Sequence, residues 1–172
     1  IHLNALYGKA FYSQNNKITF LTSGKYKYRT LMRDIENATD TINIQYFIIK
    51  NDPVGRKFIE HLTKKAKQGV QVRLLMDSMG SRQIDDKLLK DFIEAGGMRA
   101  YFFPSRGRLL NYRFNYRNHR KITCVDGHIA YTGGINIADE YANIIDRFGY
   151  WKDGGGCITG EAAWGFTREF LR

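Results

Sequence analysis

His119-Arg-Lys-Ile-Thr-Cys-Val-Asp-Gly-His-Ile-Ala-Tyr-Thr-Gly-Gly-Ile-Asn136 is the stretch that decides the fold, because it predicts two short strands joined by a tight turn. Ile122 to Val125 is a short β-branched run, Asp126-Gly127 is a strong signal for a two-residue hairpin turn, and His128 to Thr132 is the returning strand. Gly133-Gly134 ends that strand. The hairpin therefore brings the end of the stretch back toward its beginning.

The same stretch carries side chains that can bind and react. If a strand begins at His119, its period of two places the imidazole of His119 and the ammonium of Lys121 on one face. Lys121 supplies positive charge, and Asn136 supplies amide donors for an anion. His119 titrates near neutrality, so it can attack an electrophile or transfer a proton. The spacing predicts an anion-binding site that contains a nucleophile.

Three further residues of the stretch are interpreted as shaping this site. Gly133 and Gly134 let the backbone approach a ligand closely, because neither carries a Cβ atom. Asp126 is an odd number of residues from His119 along the chain, so its side chain has the wrong parity to face the same pocket. We therefore predict that Asp126 forms the turn and is not a catalytic acid.

The spacing of these residues resembles the HKD signature of the phospholipase D superfamily, in which His-x-Lys is followed by Asp and then by Gly-Gly-x-Asn. The Gly-Gly-Ile-Asn ending is most similar to that of the bacterial cardiolipin synthases, since nucleases of the superfamily usually carry Gly-Ser there. The resemblance covers nearly the whole chain. The other matching positions are Thr22-Ser23-Gly24, Ile44-Gln45-Tyr46-Phe47-Ile48, Asp52 with Gly55, Gly69-Val70-Gln71-Val72-Arg73, Asp77 with Gly80, and Tyr150-Trp151-Lys152-Asp153.

The resemblance implies a two-step phosphatidyl transfer without a metal or other cofactor. His119 would attack the phosphorus of phosphatidylglycerol to give a phosphohistidine, and a second phosphatidylglycerol would then displace it, which yields cardiolipin and glycerol. Lys121 and Asn136 would hold the non-bridging oxygens as charge develops on them. Anionic phospholipid and the membrane surface are the implied partners.

The resemblance also assigns a partner to the nucleophile. An acidic residue at the place of Asp153 would fix the tautomer of the His119 ring, although an ordinary surface carboxylate is the alternative. Gly154-Gly155-Gly156 departs from the family, where a bulkier strand-forming stretch is usual. Arg117 and Tyr141 are further candidates for substrate binding.

A second proton donor is needed opposite the nucleophile, because displacing an alcohol leaves a poor leaving group. In the superfamily, two copies of the motif meet across a pseudo-twofold axis. His2, His61 and His128 all lack a Lys two residues later, so none begins a second copy. We expect the second motif to come from another part of the polypeptide or from another subunit.

Composition predicts one domain over residues 1–172, since the chain has 172 residues and 43% hydrophobic content. Lys and Arg total 27 against 17 Asp and Glu, which gives a net charge of +10 and favours an anionic partner over a merely solvated basic surface. Cys124 lies in an apolar run and is expected to be a buried free thiol. The chain starts at Ile1 and stops at Arg172 inside a predicted helix, so we expect a fragment of a longer two-motif protein. We expect that protein at the bacterial cell membrane, with this domain soluble and facing the cytoplasm.

Alternating strand and helix patterns before the hairpin predict an α/β fold. We expect a mixed, mostly parallel β-sheet flanked by helices on both faces, with right-handed crossovers. The predicted strands are Lys17 to Thr22, Thr41 to Ile49, Val70 to Met76, Met98 to Phe103, Ile122 to Val125, His128 to Thr132 and Trp151 to Gly160. The predicted helices are one from Tyr28 with Leu31, Met32, Ile35 and Ala38 on its apolar face, one from Asp52-Pro53 to Gly69, and one with Ile84, Leu88, Leu89, Phe92 and Ile93.

Pro104 to Asn118 interrupts this pattern with a basic and aromatic loop that leads into His119. Such a loop suits a mouth that gathers phosphate, but a solvated surface loop explains it equally well. Its aromatic side chains would instead stack bases if the substrate were single-stranded nucleic acid.

Two other functions are compatible with the sequence. A symmetric homodimer in which each subunit contributes one motif would be a phosphodiesterase or nuclease, and it accounts for the positive charge and the short length. The other hypothesis is that the chain is not an enzyme but a catalytically silent domain that binds anionic lipid.

Overall fold

A computed structural model describes residues 5–8, 12–102 and 117–172. The strands of this part form one seven-stranded sheet in the order β1-β7-β6-β5-β2-β3-β4. The strands are β1 (Asn16–Leu21), β2 (Thr41–Tyr46), β3 (Gln71–Asp77), β4 (Met98–Phe102), β5 (Ile122–Val125), β6 (Ile129–Gly133) and β7 (Gly155–Gly160). The helices are α1 (Gly24–Asn37), α2 (Pro53–Lys67), α3 (Asp86–Glu94) and α4 (Ala162–Phe170), with a 3-10 turn at Asp139–Ala142.

The expected α/β class is confirmed, but the expected parallel character of the sheet is wrong. β2, β3 and β4 are parallel, because helical crossovers join them. The other four of the six pairings are antiparallel. The physical reason is that β5 returns alongside β2 in the opposite direction, and the tight turn at Asp126-Gly127 then reverses the chain again. Each hairpin-like connection of this kind adds an antiparallel neighbour.

Helices cover both faces of the sheet, as predicted. On one face, α1 and α2 pack against the even-numbered side chains of β2 and β3, which are fully buried: Ile42, Ile44, Tyr46, Val72, Leu74 and Met76. On the other face, α4 covers a smaller cluster made of Ile122, Cys124, Ala130 and Ala163. Because β2 is covered on both sides, its central residues are buried without alternation.

The helix starts follow from the side chains that cap them. Ser23 accepts a hydrogen bond from the Tyr26 backbone nitrogen at 3.2 Å, and Asp52 accepts one from Gly55 at 2.8 Å. Pro53 occupies the first turn of α2, where its missing N–H costs nothing. Gly69 follows α2 with a positive φ of 89°, which explains the predicted stop at this residue.

Several predicted boundaries move by a few residues. β2 ends at Tyr46 and not at Ile49, Ile84 precedes α3, and β7 begins only at Gly155. Cys124 and Cys157 are both buried and free, as expected for Cys124. Within residues 5–8, 12–102 and 117–172, no helix has the length and apolar character needed to cross a bilayer. His2 and residues 103–116, which include most of the basic and aromatic loop, lie outside the described residues.

Candidate active site

His119 and Lys121 lie in direct contact at the start of β5. The Lys121 Nζ donates to His119 Nδ1 at 2.8 Å and to the His119 backbone oxygen at 2.7 Å. Both residues precede the strand, which begins at Ile122, so the expectation that the strand starts at His119 is wrong. The Lys121 side chain is buried, whereas His119 is exposed. Among the described residues, no hydrogen-bond partner faces His119 Nε2, which leaves this atom open to a substrate.

Phe47, the residue that follows β2, contacts both side chains. Its ring centre is 4.7 Å from that of His119, and the Lys121 Nζ lies 5.4 Å from the same ring. An ammonium at this distance from an aromatic face is attracted by the ring quadrupole. Phe47 therefore keeps the imidazole and the ammonium near one another without supplying a competing charge.

Asn136 is buried beside this pair and has a fixed side-chain orientation. Its Oδ1 accepts a hydrogen bond from the Ile48 backbone nitrogen at 3.1 Å, so its Nδ2 is the end left to donate. Its backbone oxygen accepts a short hydrogen bond from the Tyr28 hydroxyl. The side chain of Asn136 also bonds the phenol of Tyr141. Tyr141 is buried and packs at 5.0 Å against the Trp151 ring, so it supports Asn136 from behind.

Gly133-Gly134 is explained by close packing against the chain that leads into β7. A Cβ at Gly133, whose φ is 146°, would collide with the backbone of Gly154 and Gly155. A Cβ at Gly134 would collide with the carboxylate of Asp153. The two glycines thus leave room for Asp153 and for the chain that leads into β7. The described contacts of Asp153 do not include His119, whose Nδ1 is bonded to Lys121.

The surroundings lower the pKa values of both His119 and Lys121. Partial burial lowers the pKa of His119, the Lys121 ammonium lowers it further, and Asp77 opposes the change. Burial lowers the pKa of Lys121 to about 8, the nearby Lys27 ammonium adds to this effect, and Asp153 opposes it. At neutral pH, His119 is therefore unprotonated while most Lys121 is still charged.

Asp77 orders the chain segment that enters the site. Its buried carboxylate accepts hydrogen bonds from the backbone nitrogens of Met79 at 2.9 Å and Gly80 at 3.1 Å. The Arg117 guanidinium lies 3.9 Å from the same carboxylate, and the Asn118 backbone nitrogen lies 3.4 Å from its other oxygen. Arg117 was predicted to bind substrate. The structure places it against Asp77, where it can position the backbone just before His119.

Sequence reasoning missed two residues of this site, Lys27 and Phe47. Lys27 is buried on α1 and lies close enough to Lys121 to affect its pKa. A signal was present, because Lys27 precedes Leu31 by four residues and so falls on the apolar face of the helix. Phe47 belongs to the run that resembles the family, but nothing in its spacing indicated a contact with His119.

Asp126 lies at the far end of β5 and has a structural environment. Its two carboxylate oxygens accept hydrogen bonds from the backbone nitrogens of Thr39, Asp40 and Thr41, each at 2.9 Å, and from the Thr39 hydroxyl at 3.2 Å. Asp126 has a positive φ of 49° and Gly127 one of 71°, as a two-residue hairpin turn requires. The turn at Asp126-Gly127 is confirmed, but β6 begins at Ile129, which pairs with Val125, so His128 belongs to the connection and not to the returning strand. The Asp126 carboxylate additionally fixes the chain that enters β2.

A cavity of about 900 Å³ opens beside His119 and Lys121. One wall comes from the ends of β5 and β6, and the opposite wall comes from α4. This size is in the range of known ligand sites. The wall residues combine apolar and cationic side chains, among them Arg120, Ile122, Thr132, Gly133, Ala162, Trp164, Phe166 and Arg168.

The fold and this constellation define a phospholipase D-like protein. A phosphatidylserine synthase structure from Haemophilus influenzae matches with a TM-score of 0.68 and 16% identity, covering 90% of this chain and 35% of that one. Nuc from Salmonella typhimurium, a phospholipase D family member, matches with a TM-score of 0.63 and 16% identity, covering 91% of this chain and 93% of that one. At these identities, the likeness concerns the fold alone.

The sequence places the chain more narrowly. It belongs to the family of phospholipase D-like domains of cardiolipin synthase, whose model matches residues 31–144. It is 41% identical over 171 residues to the major cardiolipin synthase ClsA of Bacillus subtilis, covering 99% of this chain and 36% of that protein. It is 46% identical over 162 residues to a cardiolipin synthase of Staphylococcus aureus, covering 94% and 33%. The chain thus spans about a third of the length of these relatives.

Proposed function

We propose that this chain is one catalytic half of a phosphatidyltransferase that makes cardiolipin and glycerol from two molecules of phosphatidylglycerol. The observation that carries the proposal is the contact of His119 with Lys121 beside the oriented amide of Asn136, in a chain whose close relatives are named cardiolipin synthases. Family membership supports the reaction class, and the site geometry supports the roles of these residues. Residues 1–172 would form a single domain of a longer, two-motif protein.

In the proposed first step, Nε2 of His119 attacks the phosphorus, the bond to glycerol breaks, and a phosphohistidine forms. Lys121 and the Asn136 Nδ2 donate to the non-bridging oxygens, where charge accumulates. A second phosphatidylglycerol hydroxyl then displaces the histidine, gives up its proton and forms cardiolipin. The proposed chemistry requires no cofactor.

The proposed attack requires Lys121 to leave the Nδ1 atom of His119. Nε2 can attack only if the ring proton is on Nδ1, yet Nδ1 now accepts from Lys121. An arriving phosphate would draw the ammonium onto its own oxygens, since a charge-assisted bond to an anion is the stronger one. Once the neutral ring has moved its proton from Nε2 to Nδ1, Asp153, which already interacts electrostatically with Lys121, would accept a hydrogen bond from this Nδ1–H. The predicted role of Asp153 therefore belongs to the substrate-bound state.

The proton for the departing glycerol has to come from a second motif. His61 is engaged with Glu36 at 2.8 Å and with the Lys57 backbone oxygen at 2.7 Å, both on the helical face. His128 follows the turn at the opposite end of β5. Neither can protonate a leaving group at His119, so we propose that a second HKD half supplies the acid, either in cis or from another subunit.

The cavity beside His119 supports a lipid substrate. Trp164 and Phe166 provide apolar surface for the glycerol backbone, whereas Arg120, in the same lining, is already paired with Glu169 at 2.6 Å. The net charge of +10 suits an anionic membrane surface. We propose that the complete protein works at the bacterial cell membrane, with this domain on the cytoplasmic side.

One observation favours a second candidate, a homodimeric HKD-type phosphodiesterase that acts on nucleic acid. The match to Nuc covers 93% of that chain, so a chain of this length with one motif is enough to form such a fold. A symmetric dimer would then bring two His119 side chains to one site. A silent lipid-binding domain is the outcome if neither reaction occurs.

The test is a product assay on the complete protein with labelled phosphatidylglycerol in mixed micelles. We expect cardiolipin and glycerol in equal amounts and no cleavage of single-stranded DNA. Sedimentation of the 172-residue chain separates the alternatives further, because the nuclease requires a tight dimer. Hydrolysis of nucleic acid without lipid transfer would overturn the proposal, and vesicle binding without turnover would identify a silent domain.

A further inference from the structure

Lys27 is a cation that the fold buries directly behind the candidate site. Only 4% of the residue is exposed, and Lys side chains are almost never fully buried without a partner. Its Nζ donates to the backbone oxygen of Ile135, the residue before Asn136. It also lies 4.7 Å from the ring centre of Tyr46 and 5.9 Å from that of Tyr28. Its surroundings thus satisfy a cation with aromatic faces and one carbonyl group.

We propose that Lys27 is a positioning residue for the candidate site: it fixes the backbone of Asn136 and keeps a second positive charge behind Lys121. The inference rests on the proposed anion-binding role of that site. Lys27 touches neither the imidazole nor the cavity, so it would act through Lys121 and Asn136.

The charges around Lys27 support this role. Burial lowers the Lys27 pKa to about 7, and Asp153, on the segment before β7, opposes the change. From the segment before β5, Lys121 faces it as a like charge. Tyr28 on α1 and Tyr46 on β2 complete the titratable neighbours, and burial raises the pKa of both. Two ammonium groups thus share one nearby carboxylate, that of Asp153, so the described charges behind Asn136 are mainly positive.

A merely structural explanation is that Lys27 anchors α1 to the loop after β6. The two explanations differ in what happens to Lys121 when the charge is removed. An anchor leaves the Lys121 pKa unchanged, whereas a charge behind Lys121 keeps that pKa low. The substitution Lys27→Met removes both the charge and the hydrogen bond, while Lys27→Gln retains a donor but no charge.

The experiment is NMR titration of the Lys121 ammonium in the 172-residue chain, combined with calorimetric binding of sulfate as an anion that does not titrate in this range. In Lys27→Met and Lys27→Gln, we expect the Lys121 pKa to rise above about 8 but to stay below its usual 10.5, because burial, the larger cause of its lowering, remains. Below pH 7, where Lys27 is charged, sulfate binding should weaken by about fivefold, because a cation near the anion is lost. Above pH 8, where Lys27 has lost most of its charge, both variants should bind sulfate about as tightly as wild type.

Lys65→Met is the matched control. Lys65, on α2, is also a buried lysine whose Nζ donates to a backbone oxygen, that of Glu36 at 3.2 Å. Glu36 lies near the C-terminal end of α1, whereas Lys27 lies in the first turn of that helix. Lys65→Met should change neither the Lys121 pKa nor the affinity for sulfate. An unchanged Lys121 pKa in Lys27→Gln, or weaker sulfate binding at every pH, would overturn the inference. Failure of wild type to bind sulfate would instead contradict the proposed function, since the Lys121 titration needs no ligand.

Discussion

The residues of the signature at the two ends of β5 differ in how well their side chains are hydrogen-bonded and balanced in charge. At the Asp126 end, the carboxylate accepts four hydrogen bonds from the chain entering β2. At the other end, seven residues before Asp126, the exposed imidazole of His119 contacts the buried Lys121 ammonium, whose pKa is lowered by burial and by the Lys27 ammonium. The Asp126 carboxylate thus has its hydrogen-bond partners within the fold, whereas the Lys121 ammonium would gain from an added negative charge. The comparison teaches that a single motif can combine a structural anchor with a reactive, electrostatically unsatisfied pocket.

The largest expected effect is a loss of anion affinity when the Lys121 ammonium is removed. Lys121→Met should weaken sulfate binding to the chain by about tenfold or more, because a charge-assisted hydrogen bond is lost. The free energy of unfolding should not fall, since the buried cation is opposed by burial and by Lys27. Calorimetry and urea unfolding measure the two quantities. Lys17→Met changes the net charge equally on the exposed edge strand, and an equal loss of affinity in this control would contradict the prediction.

The reverse behaviour is expected at the other end of the strand. Asp126→Asn retains a residue that tolerates the positive φ but removes the charge from four hydrogen bonds, so the free energy of unfolding should fall by about 2 kcal/mol. Sulfate affinity should stay the same. Urea unfolding measures the loss, and Asp40→Asn, which removes a neighbouring exposed carboxylate, should cost little.

The Asp126 contribution also has a defined pH window. Burial alone would raise the pKa of Asp126, but hydrogen bonds from Thr39, Asp40 and Thr41 outweigh it, and the pKa lies below its usual 3.8. A carboxylate with a lowered pKa stabilises the fold above 3.8, and this stabilisation is lost as the pH falls through the lowered value. Asp126→Asn should therefore approach wild-type stability in acid, and a constant difference at all pH values would contradict the assignment.

The smallest expected effect is a pH dependence at the reactive end. The proposed attack by His119 would need a neutral imidazole, whose pKa is lowered below its usual 6.5, and a charged Lys121, whose pKa is about 8. The rate should rise as His119 loses its proton and fall as the pH passes about 8. Rapid-quench kinetics of the complete protein measure this profile. A rate that keeps increasing well above pH 8 would show that the Lys121 charge is not needed.

Local chemistry explains which parts of the fold were predictable. Ser23, Asp52 and Asp126-Gly127 act on residues three or fewer positions away, so their caps and turn follow from sequence alone. The direction of β5 relative to β2 depends on a connection of many residues, and the expectation of a mostly parallel sheet was accordingly wrong. The resemblance placed His119, Lys121 and Asn136 at one site because family spacing records their tertiary proximity.

The remaining features of the site arise from tertiary packing. Lys27 reaches the site only because α1 docks its apolar face on the sheet, and it interacts with a carbonyl 108 residues away. The contact of Lys121 with His119 Nδ1 likewise lies before β5, outside the range in which strand periodicity applies. Whether Asp153 replaces Lys121 at this nitrogen stays a prediction.

The central claim is that His119 carries the phosphatidyl group covalently, and the most direct measurement is to locate the adduct. The complete protein would be mixed with labelled phosphatidylglycerol, quenched at alkaline pH within the first turnover and mapped by mass spectrometry. We predict a phosphatidyl group on His119, its absence in His119→Gln, and its retention in His128→Gln. Turnover without any adduct, or an adduct on a different residue, would contradict the account.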